Sequence, residues 1–127
     1  MEMVKNAIVW SEIPVLNFAR AKEFYSRIFD YEMPEMQMGN NRMGFFLMEQ
    51  EQEGVGGAIV QGDGYIPSKL GTRTYLNGGE DLNTVLERVD VSGGKVLVHK
   101  TLITEEIGFF AMFEDTEGNH VCLHSRK

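Results

Sequence analysis

Three side chains of types that can do chemistry stand in apolar, strand-like stretches of this sequence: Glu12, Cys122 and His124. Glu12 lies between Trp10 and Ile13, where a carboxylate is costly to bury unless it has a hydrogen-bond partner. His124 carries an imidazole, which can give or take a proton near neutral pH. Cys122 is the only cysteine and has no adjacent base, a setting more typical of an inert buried thiol than of a nucleophile. What these groups can do depends on the elements that place them.

The composition is that of one globular domain without a nucleic-acid partner. The 127 residues suffice for one core, and 43% of them are apolar and 24% charged. The net charge is −7, from 19 acidic and 12 scattered basic residues. A phosphate backbone is bound by clustered Lys and Arg, which this sequence lacks. We therefore expect a single domain over residues 1–127 that binds no nucleic acid.

The sequence also predicts a cytoplasmic protein without a membrane partner. No apolar run approaches the length that spans a bilayer. Glu2, Lys5 and Asn6 interrupt the apolar core that a signal peptide would need. A lone cysteine forms no internal disulfide, which suits a reducing compartment.

Residues 108–124 predict a β-hairpin, and this stretch has a counterpart in the first half of the chain. Apolar residues that favour strands flank a cluster of turn formers. Gly108 opens a Gly-Phe-Phe triplet, and Gly44 opens another one 64 residues earlier. Helical patterns begin at Asn17 and Asp81, which are separated by the same offset. The agreement of the two pairs indicates a tandem duplication.

Each half predicts the element order βαβββ. In the first half an alternating strand at residues 6–15 precedes an amphipathic helix that Asn17 caps. Pro34 places the next strand at the edge of a sheet. The other strands of this half are predicted over residues 31–38, 42–49 and 55–61, with a polar loop at 50–54.

The second half repeats this order after a glycine-rich connector at residues 62–71. A strand at 72–77 precedes a helix that Glu80 or Asp81 caps and that ends before Gly93. The remaining prediction is a strand at 95–100, a loop at 101–107 and the terminal hairpin, whose turn leaves His120 exposed. The fold class is therefore α+β, with modules at about residues 5–61 and 72–125, about eight strands and two principal helices.

Four segments resemble the vicinal oxygen chelate superfamily of glyoxalases, bleomycin-resistance proteins and extradiol dioxygenases, and within it the bacterial glyoxalase-like proteins. They are EIPVLNFARAKEFY at residues 12–25, GGA at 56–58, YLN leading into Asp81-Leu82, and GFFAMFEDTEGNHVCLH at 108–124. The resemblance implies an eight-stranded, cup-shaped mixed sheet with the two principal helices outside and the ligand on its inner face. It also implies a homodimer, which would cover the open sheet edges.

The family's metal site is the next implication of the resemblance. Its divalent metal polarises vicinal oxygens and is held by His, Gln or Glu on the first and last strands of each module. The family pattern places those ligand positions at Trp10, Ala58, Thr74 and Cys122. Only Cys122 is of a metal-binding type, so we predict no metal ligands and no cofactor. A divalent Ni, Zn, Mn or Fe ion would need a relocated site.

Two residues further along the same strands lies a second ring, formed by Glu12, Val60, Leu76 and His124. If Glu12 and His124 both look into the cup, they are a catalytic acid–base pair without metal, or two ligands of an unusual metal site. The alternative is a solvated or hydrogen-bonded Glu12 at the cup mouth and a surface His124.

Aromatic side chains supply the candidate binding surface of the cup, because they can stack on a flat or apolar ligand. Core packing is the alternative for Phe46 and Phe110. In the connector, Tyr65 either folds over the opening as a flap or only joins the modules. The candidate substrate-binding residues are Trp10, Phe46, Tyr75, Asn77, Phe110 and Cys122.

Two functional classes follow from the resemblance and the altered ligand positions. The first is a glyoxalase- or bleomycin-resistance-like protein that binds a small organic molecule in the cup without the family metal. The second is a divergent lyase, isomerase or dioxygenase, related to lactoylglutathione lyase, that acts on a small oxygenated metabolite. Saturable binding without turnover distinguishes the first from the second.

Overall fold

The protein folds as two βαβββ modules, which confirms the α+β class. The computed structural model describes residues 1–47 and 54–127. The first module comprises β1 (Trp10–Pro14), α1 (Phe18–Phe29), β2 (Glu35–Met38), β3 (Asn41–Phe45) and β4 (Gly56–Gln61). The second comprises β5 (Tyr75–Asn77), α2 (Leu82–Val89), β6 (Lys95–Thr104), β7 (Gly108–Glu114) and β8 (His120–Ser125).

The strands lie in two mixed sheets, so the predicted eight-stranded sheet is built as two four-stranded halves. The N-terminal sheet has the order β1-β4-β3-β2 and the C-terminal sheet the order β5-β8-β7-β6. In each sheet the first strand of the module pairs in parallel with the last, and the other pairs are antiparallel. β2 is an edge strand that begins directly after Pro34, as the sequence predicts.

Both helices begin where their capping residues predict. The Asn17 side chain accepts from the backbone N–H of Arg20 at 3.1 Å, and Asp81 accepts from that of Asn83 at 3.0 Å. The first residues of α1 and α2 therefore keep the 64-residue offset. Within the described residues, no helix is long and apolar enough to cross a membrane.

Several strand bounds differ from the prediction. β6 extends to Thr104, so the loop predicted at 101–107 is confirmed only at 105–107. The pairing of β6 with β7 shifts register three times, so its side chains do not alternate regularly in the sequence. β1 begins only at Trp10, because Trp10 pairs with Gly56, the first residue of β4. The end predicted at residue 49 and most of the loop predicted at 50–54 lie outside the described residues.

One core joins both sheets to both helices. The ring of Tyr25 in α1 lies 5.2 Å from that of Phe46 and 6.3 Å from that of Phe113, so this helix packs against both modules. Side chains alternate along a strand, so every second residue enters this core and the others lie on the face away from the helices, here called the open face. The largest fully buried side chains include Phe18, Phe24, Tyr25, Ile28, Met33, Ile59, Leu82, Phe113 and Leu123.

A buried acidic turn between β7 and β8 binds the modules to each other. Asp115 is 4% exposed and accepts a hydrogen bond from the Tyr25 hydroxyl at 2.7 Å. Asn119, at the end of the turn, donates to the Pro14 carbonyl at 2.8 Å and accepts from the backbone N–H of Ser68 at 2.9 Å. The turn thus holds α1, β1 and the connector in fixed positions around the site described below.

Glu117 in the same turn holds the start of α1. Its carboxylate accepts from the backbone N–H groups of Leu16 at 2.9 Å and Asn17 at 2.7 Å, and from Arg20 Nε at 2.7 Å. Burial alone would raise the pKa of Glu117, but hydrogen bonds from Arg20, Asn17, Thr116 and Leu16 outweigh it and lower the pKa.

Glu117→Gln is expected to lower the free energy of unfolding by about 1–2 kcal/mol at pH 7, since charge-assisted hydrogen bonds are lost. A lowered folded-state pKa contributes stability above the unfolded pKa, and this contribution is lost as the pH falls through the folded value. Urea unfolding should therefore show a difference from the wild type that is full at pH 7 and shrinks in acid. A difference that stays constant down to pH 3 would contradict this account.

Candidate functional site

A cavity of about 780 Å³ opens where the edges of the two sheets meet. The hydroxyl groups of Ser11 in β1 and Thr74, just before β5, lie 3.2 Å apart, so these two edge strands lie side by side. The wall includes five residues of the candidate set, namely Trp10, Glu12, Tyr75, Asn77 and core-facing Phe46. The duplication therefore places candidate residues from both modules around one cavity.

On the β1 side, Trp10 and Glu12 lie on the open face, because Ile13 and Val15 enter the core. Trp10 is 40% exposed and its ring packs edge-on against Phe45, with centroids 6.2 Å apart. The carboxylate of Glu12 accepts from Trp10 Nε1 at 3.2 Å. A large aromatic surface on this wall is therefore held in place and remains accessible to a ligand.

The second partner of Glu12 comes from the connector. The Tyr65 hydroxyl donates to Glu12 Oε1 at 2.8 Å, and this hydrogen bond raises the pKa of the tyrosine. Tyr65 also packs against Met43, Ala58 and Val60 on the open face of the N-terminal sheet. Tyr65 is thus folded onto the open face of the N-terminal sheet, and its role as a flap over the cavity stays a prediction. Protein donors bind both oxygens of Glu12.

On the β5 side, Leu76 packs against the core, so Arg73, Tyr75 and Asn77 share the open face. Thr74 shares the other face, where it meets Ser11. The family-based assignment of Thr74 and Leu76 to the open face is therefore displaced by one residue, because Arg73 and Tyr75 occupy that face. All four residues contribute to the wall of the cavity.

The remaining candidates lie on the open face of the C-terminal sheet but do not line this cavity. Cys122 is 3% exposed and sits in register with Tyr75 on one side and Met112 on the other. His124 is in register with Asn77 and Phe110. Its Nε2 lies 2.7 Å from the Ile107 carbonyl oxygen. In the described part of the chain, no hydrogen bond joins His124 to Glu12, and their acid–base pairing stays a prediction.

His120 is a group that the sequence analysis missed. It is 19% exposed in its side chain rather than fully exposed, and it lines the cavity. Its Nε2 lies 3.1 Å from Glu114 Oε1, since the two residues are cross-strand partners that flank the hairpin turn. An imidazole beside a carboxylate is the arrangement of a general base. Glu114 and His120 lie on either side of the predicted turn, and this spacing is the sequence feature from which their pairing could have been predicted.

The fold and sequence resemble known proteins. No protein-family model matches the chain. A glyoxalase/bleomycin resistance protein from Albidiferax ferrireducens T118 superposes with a TM-score of 0.67 over 96% of this chain and 100% of that one, at 12% identity. A variant of glyoxalase I from Zea mays gives 0.70 at 14% identity, over 94% of this chain and 45% of that one.

The sequence comparison decides the family. A glyoxylase-like domain-containing protein from Didymella fabae is 32% identical over 121 residues, which cover 91% of this chain and 90% of that one. The chain belongs to the vicinal oxygen chelate superfamily. This confirms the resemblance found in the sequence.

The vicinal oxygen chelate metal does not fit the residues at the expected positions. Ala58 offers no donor atom, Trp10 is not a metal ligand, and Thr74 is turned away towards Ser11. Cys122 is left without a second ligand of this set. Within residues 1–47 and 54–127, no group of three or more His, Cys, Asp or Glu side chains is placed to hold a metal ion.

Proposed function

We propose that this vicinal oxygen chelate protein binds a small organic molecule in the cavity between its sheets, without the family metal. The observation that carries the proposal is Trp10, a 40% exposed aromatic side chain on the cavity wall at a position where the family has a metal ligand. Tyr75, 56% exposed, adds a second accessible ring on the other strand. A concave site with accessible aromatic rings on two strands suits a small ligand that has an aromatic or apolar part.

Trp10 also provides the measurement, because it is the only tryptophan in the chain. Titration with neutral aromatic probes such as benzamide and phenylacetamide should change its emission in a saturable way. In calorimetry, Trp10→Ala should weaken this binding about tenfold, since stacking and apolar contact are lost. The control is Val91→Ala, which removes an 80% exposed apolar side chain outside the cavity and should leave binding unchanged.

The metal part of the proposal is tested on metal-stripped protein. Thermal unfolding is followed with and without Ni²⁺, Zn²⁺, Mn²⁺, Co²⁺ and, under anaerobic conditions, Fe²⁺. An ion at a hundred times its dissociation constant would stabilise by about 2.7 kcal/mol, a shift of several degrees. We expect no such shift. An ion that raises the midpoint, with the effect removed by Glu12→Gln or His124→Ala, would show a relocated metal site instead.

A divergent enzyme is the second candidate, and the pairing of His120 with Glu114 on the cavity wall favours it. An imidazole held by a carboxylate can move a proton on a bound metabolite without a metal. The two candidates give different results with thiol adducts of glyoxal. Consumption of these adducts supports a lyase or isomerase, whereas saturable binding without turnover supports the binding protein.

We further propose that the protein is a cytoplasmic homodimer. The lone, buried Cys122 suits a reducing compartment. The outer strands β2 and β6 expose apolar side chains, with Met38 at 55% and Leu102 at 52%, and edges of this kind are usually covered. Light scattering in solution tests the dimer. A mass of twice the 14.4 kDa of one chain supports it, and a mass of 14.4 kDa contradicts it.

A further inference from the structure

We propose that the ligand is an organic acid whose carboxylate binds Arg73. This inference rests on the proposed function, because it assigns a chemical class to the molecule held in the same cavity. Arg73 lies on the open face just before β5, lines the cavity and contacts the Met112 thioether through Nη1. A guanidinium has five N–H donors, and a thioether sulfur is a weak acceptor. Most of the donor capacity of Arg73 is therefore available to a ligand.

The charged groups of the cavity wall differ in how fully they are bound. Both carboxylate oxygens of Glu12 already accept hydrogen bonds, from Trp10 and from Tyr65. Arg73, in contrast, has no ion pair among the described residues, and its one hydrogen-bond partner there is the uncharged sulfur of Met112. Arg73 therefore keeps most of its donors and a positive charge without an acidic partner among the described residues, which favours an anionic acceptor group of the ligand at this end of the wall.

The neighbours of Arg73 on β5 add further donors. Tyr75 and Asn77 follow at alternate positions on the same face, within about 13 Å along the strand. The Asn77 carbonyl oxygen accepts from the backbone N–H of Gly79 at 2.9 Å, which leaves its NH₂ group to donate. One face of one edge strand therefore presents a guanidinium, a hydroxyl and an amide NH₂ to the cavity.

These groups suit a carboxylate attached to an apolar body. The planar guanidinium can bind both oxygens of a carboxylate with two parallel hydrogen bonds. The apolar part of the ligand would then contact Tyr75 and, across the cavity, Trp10. A cationic ligand seated against Tyr75 would place its charge beside Arg73, whereas an acid of the same shape would pair with the guanidinium. The wall therefore selects for acids over amines of the same shape.

The experiment compares three probes of similar shape: phenylacetate, phenylacetamide and phenethylamine. Dissociation constants are measured by calorimetry at low salt for the wild type, Arg73→Met, Arg73→Lys and the control Arg27→Met. Arg27 is an exposed arginine of α1 paired with Glu23, so its replacement removes the same charge outside the cavity. Unfolding midpoints and Trp10 emission establish that each variant is folded.

We expect the wild type to bind phenylacetate about 10- to 100-fold more tightly than phenylacetamide, with phenethylamine weakest. Arg73→Met should abolish this preference, Arg73→Lys should keep part of it as a point charge, and Arg27→Met should keep all of it. Equal affinity for acid and amide, a preference retained in Arg73→Met, or tightest binding of phenethylamine would overturn the inference and leave the proposed function standing. Absence of binding for all three probes would overturn both.

Discussion

Replacing Asp115 by alanine is expected to lower the free energy of unfolding by about 3–5 kcal/mol. The buried carboxylate accepts hydrogen bonds from the Tyr25 hydroxyl, the backbone N–H groups of Glu117 and Asn119, and Asn119 Nδ2, at 2.7–3.0 Å. The alanine leaves these donors without an acceptor in a site that water barely reaches. Because Tyr25 belongs to the first module and Asn119 to the second, the loss also loosens the contact between modules.

Urea unfolding monitored by Trp10 emission measures this effect. Asp63→Ala is the control, since Asp63 is an exposed acid of the connector, and it should change stability by less than about 0.5 kcal/mol. Asp115→Asn keeps one acceptor oxygen, so its loss of unfolding free energy should lie between those of Asp115→Ala and Asp63→Ala. If Asp115→Ala costs less than about 1 kcal/mol, the turn does not hold the modules together as described.

The pH dependence of the Asp115→Ala effect has the opposite sign to that of Glu117→Gln. Burial raises the pKa of Asp115, and the hydrogen bonds from Asn119, Tyr25 and Glu117 offset only part of this. A raised folded-state pKa contributes stability that is full below the unfolded pKa and is lost as the pH rises through the folded value. The cost of Asp115→Ala should therefore grow on acidification, whereas the cost of Glu117→Gln should shrink.

The parts of the fold that the sequence predicted well are those governed by local signals. Asn17 and Asp81 cap helices because their side chains accept from backbone N–H groups within three residues, which requires no knowledge of the tertiary structure. The 64-residue offset also holds for the first and last residues of β4 and β8. Helix starts and final strands thus identify the duplication correctly.

Strand registers were the main source of error, because they depend on partners far away in the chain. At the start of β5 the family spacing predicted Thr74 on the inner face, but the packing of Leu76 against the core places Arg73 and Tyr75 on the open face. A shift of one residue exchanged a hydroxyl for a guanidinium. The charge that carries the organic-acid inference therefore became visible only in the structure.

The candidate site residues also differ in whether they line the cavity. Trp10, Tyr75 and Asn77 line the cavity, whereas buried Cys122 and half-buried His124 belong to β8, behind β5, and do not line it. Alternation along a strand assigned Trp10 on β1 and Cys122 and His124 on β8 to the open face, as the structure has them, but it misplaced the residues of β5. It could not tell which strand of the sheet borders the cavity, because that depends on how the two sheets meet.

The two Gly-Phe-Phe triplets have the same sequence but lie at different positions in their strands. Gly44 is the fourth residue of β3 and pairs with Ile59, whereas Gly108 is the first residue of β7 and pairs with Thr104. The triplets therefore do not occupy equivalent positions in the two modules, although the modules themselves repeat. The same substitution, Gly to Ala, is therefore expected to have different effects at the two positions.

Gly108→Ala is expected to cost about 3 kcal/mol or more, and Gly44→Ala about 1 kcal/mol. Gly108 has a φ of +106°, which strains any residue with a side chain. An added Cβ would also lie 2.8 Å from Arg126 Cα and would collide with the Ser125 carbonyl oxygen, and neither backbone atom can move without disturbing β8. At Gly44 the added Cβ would meet chiefly the flexible side chain of Met33 at 2.5 Å.

Urea unfolding of the two variants under identical conditions gives the comparison directly. Met33 is unbranched and can change rotamer to accommodate an added methyl group, so the urea midpoint of Gly44→Ala should stay within about 1 M of the wild-type value. Gly108→Ala has no such escape, because both the φ angle and the contacts belong to the backbone. Equal costs at the two positions would mean that the triplets are equivalent after all, and the register deduced for β7 would be wrong. Unequal costs in the expected order would show that identical triplets in a duplicated chain meet different backbone constraints.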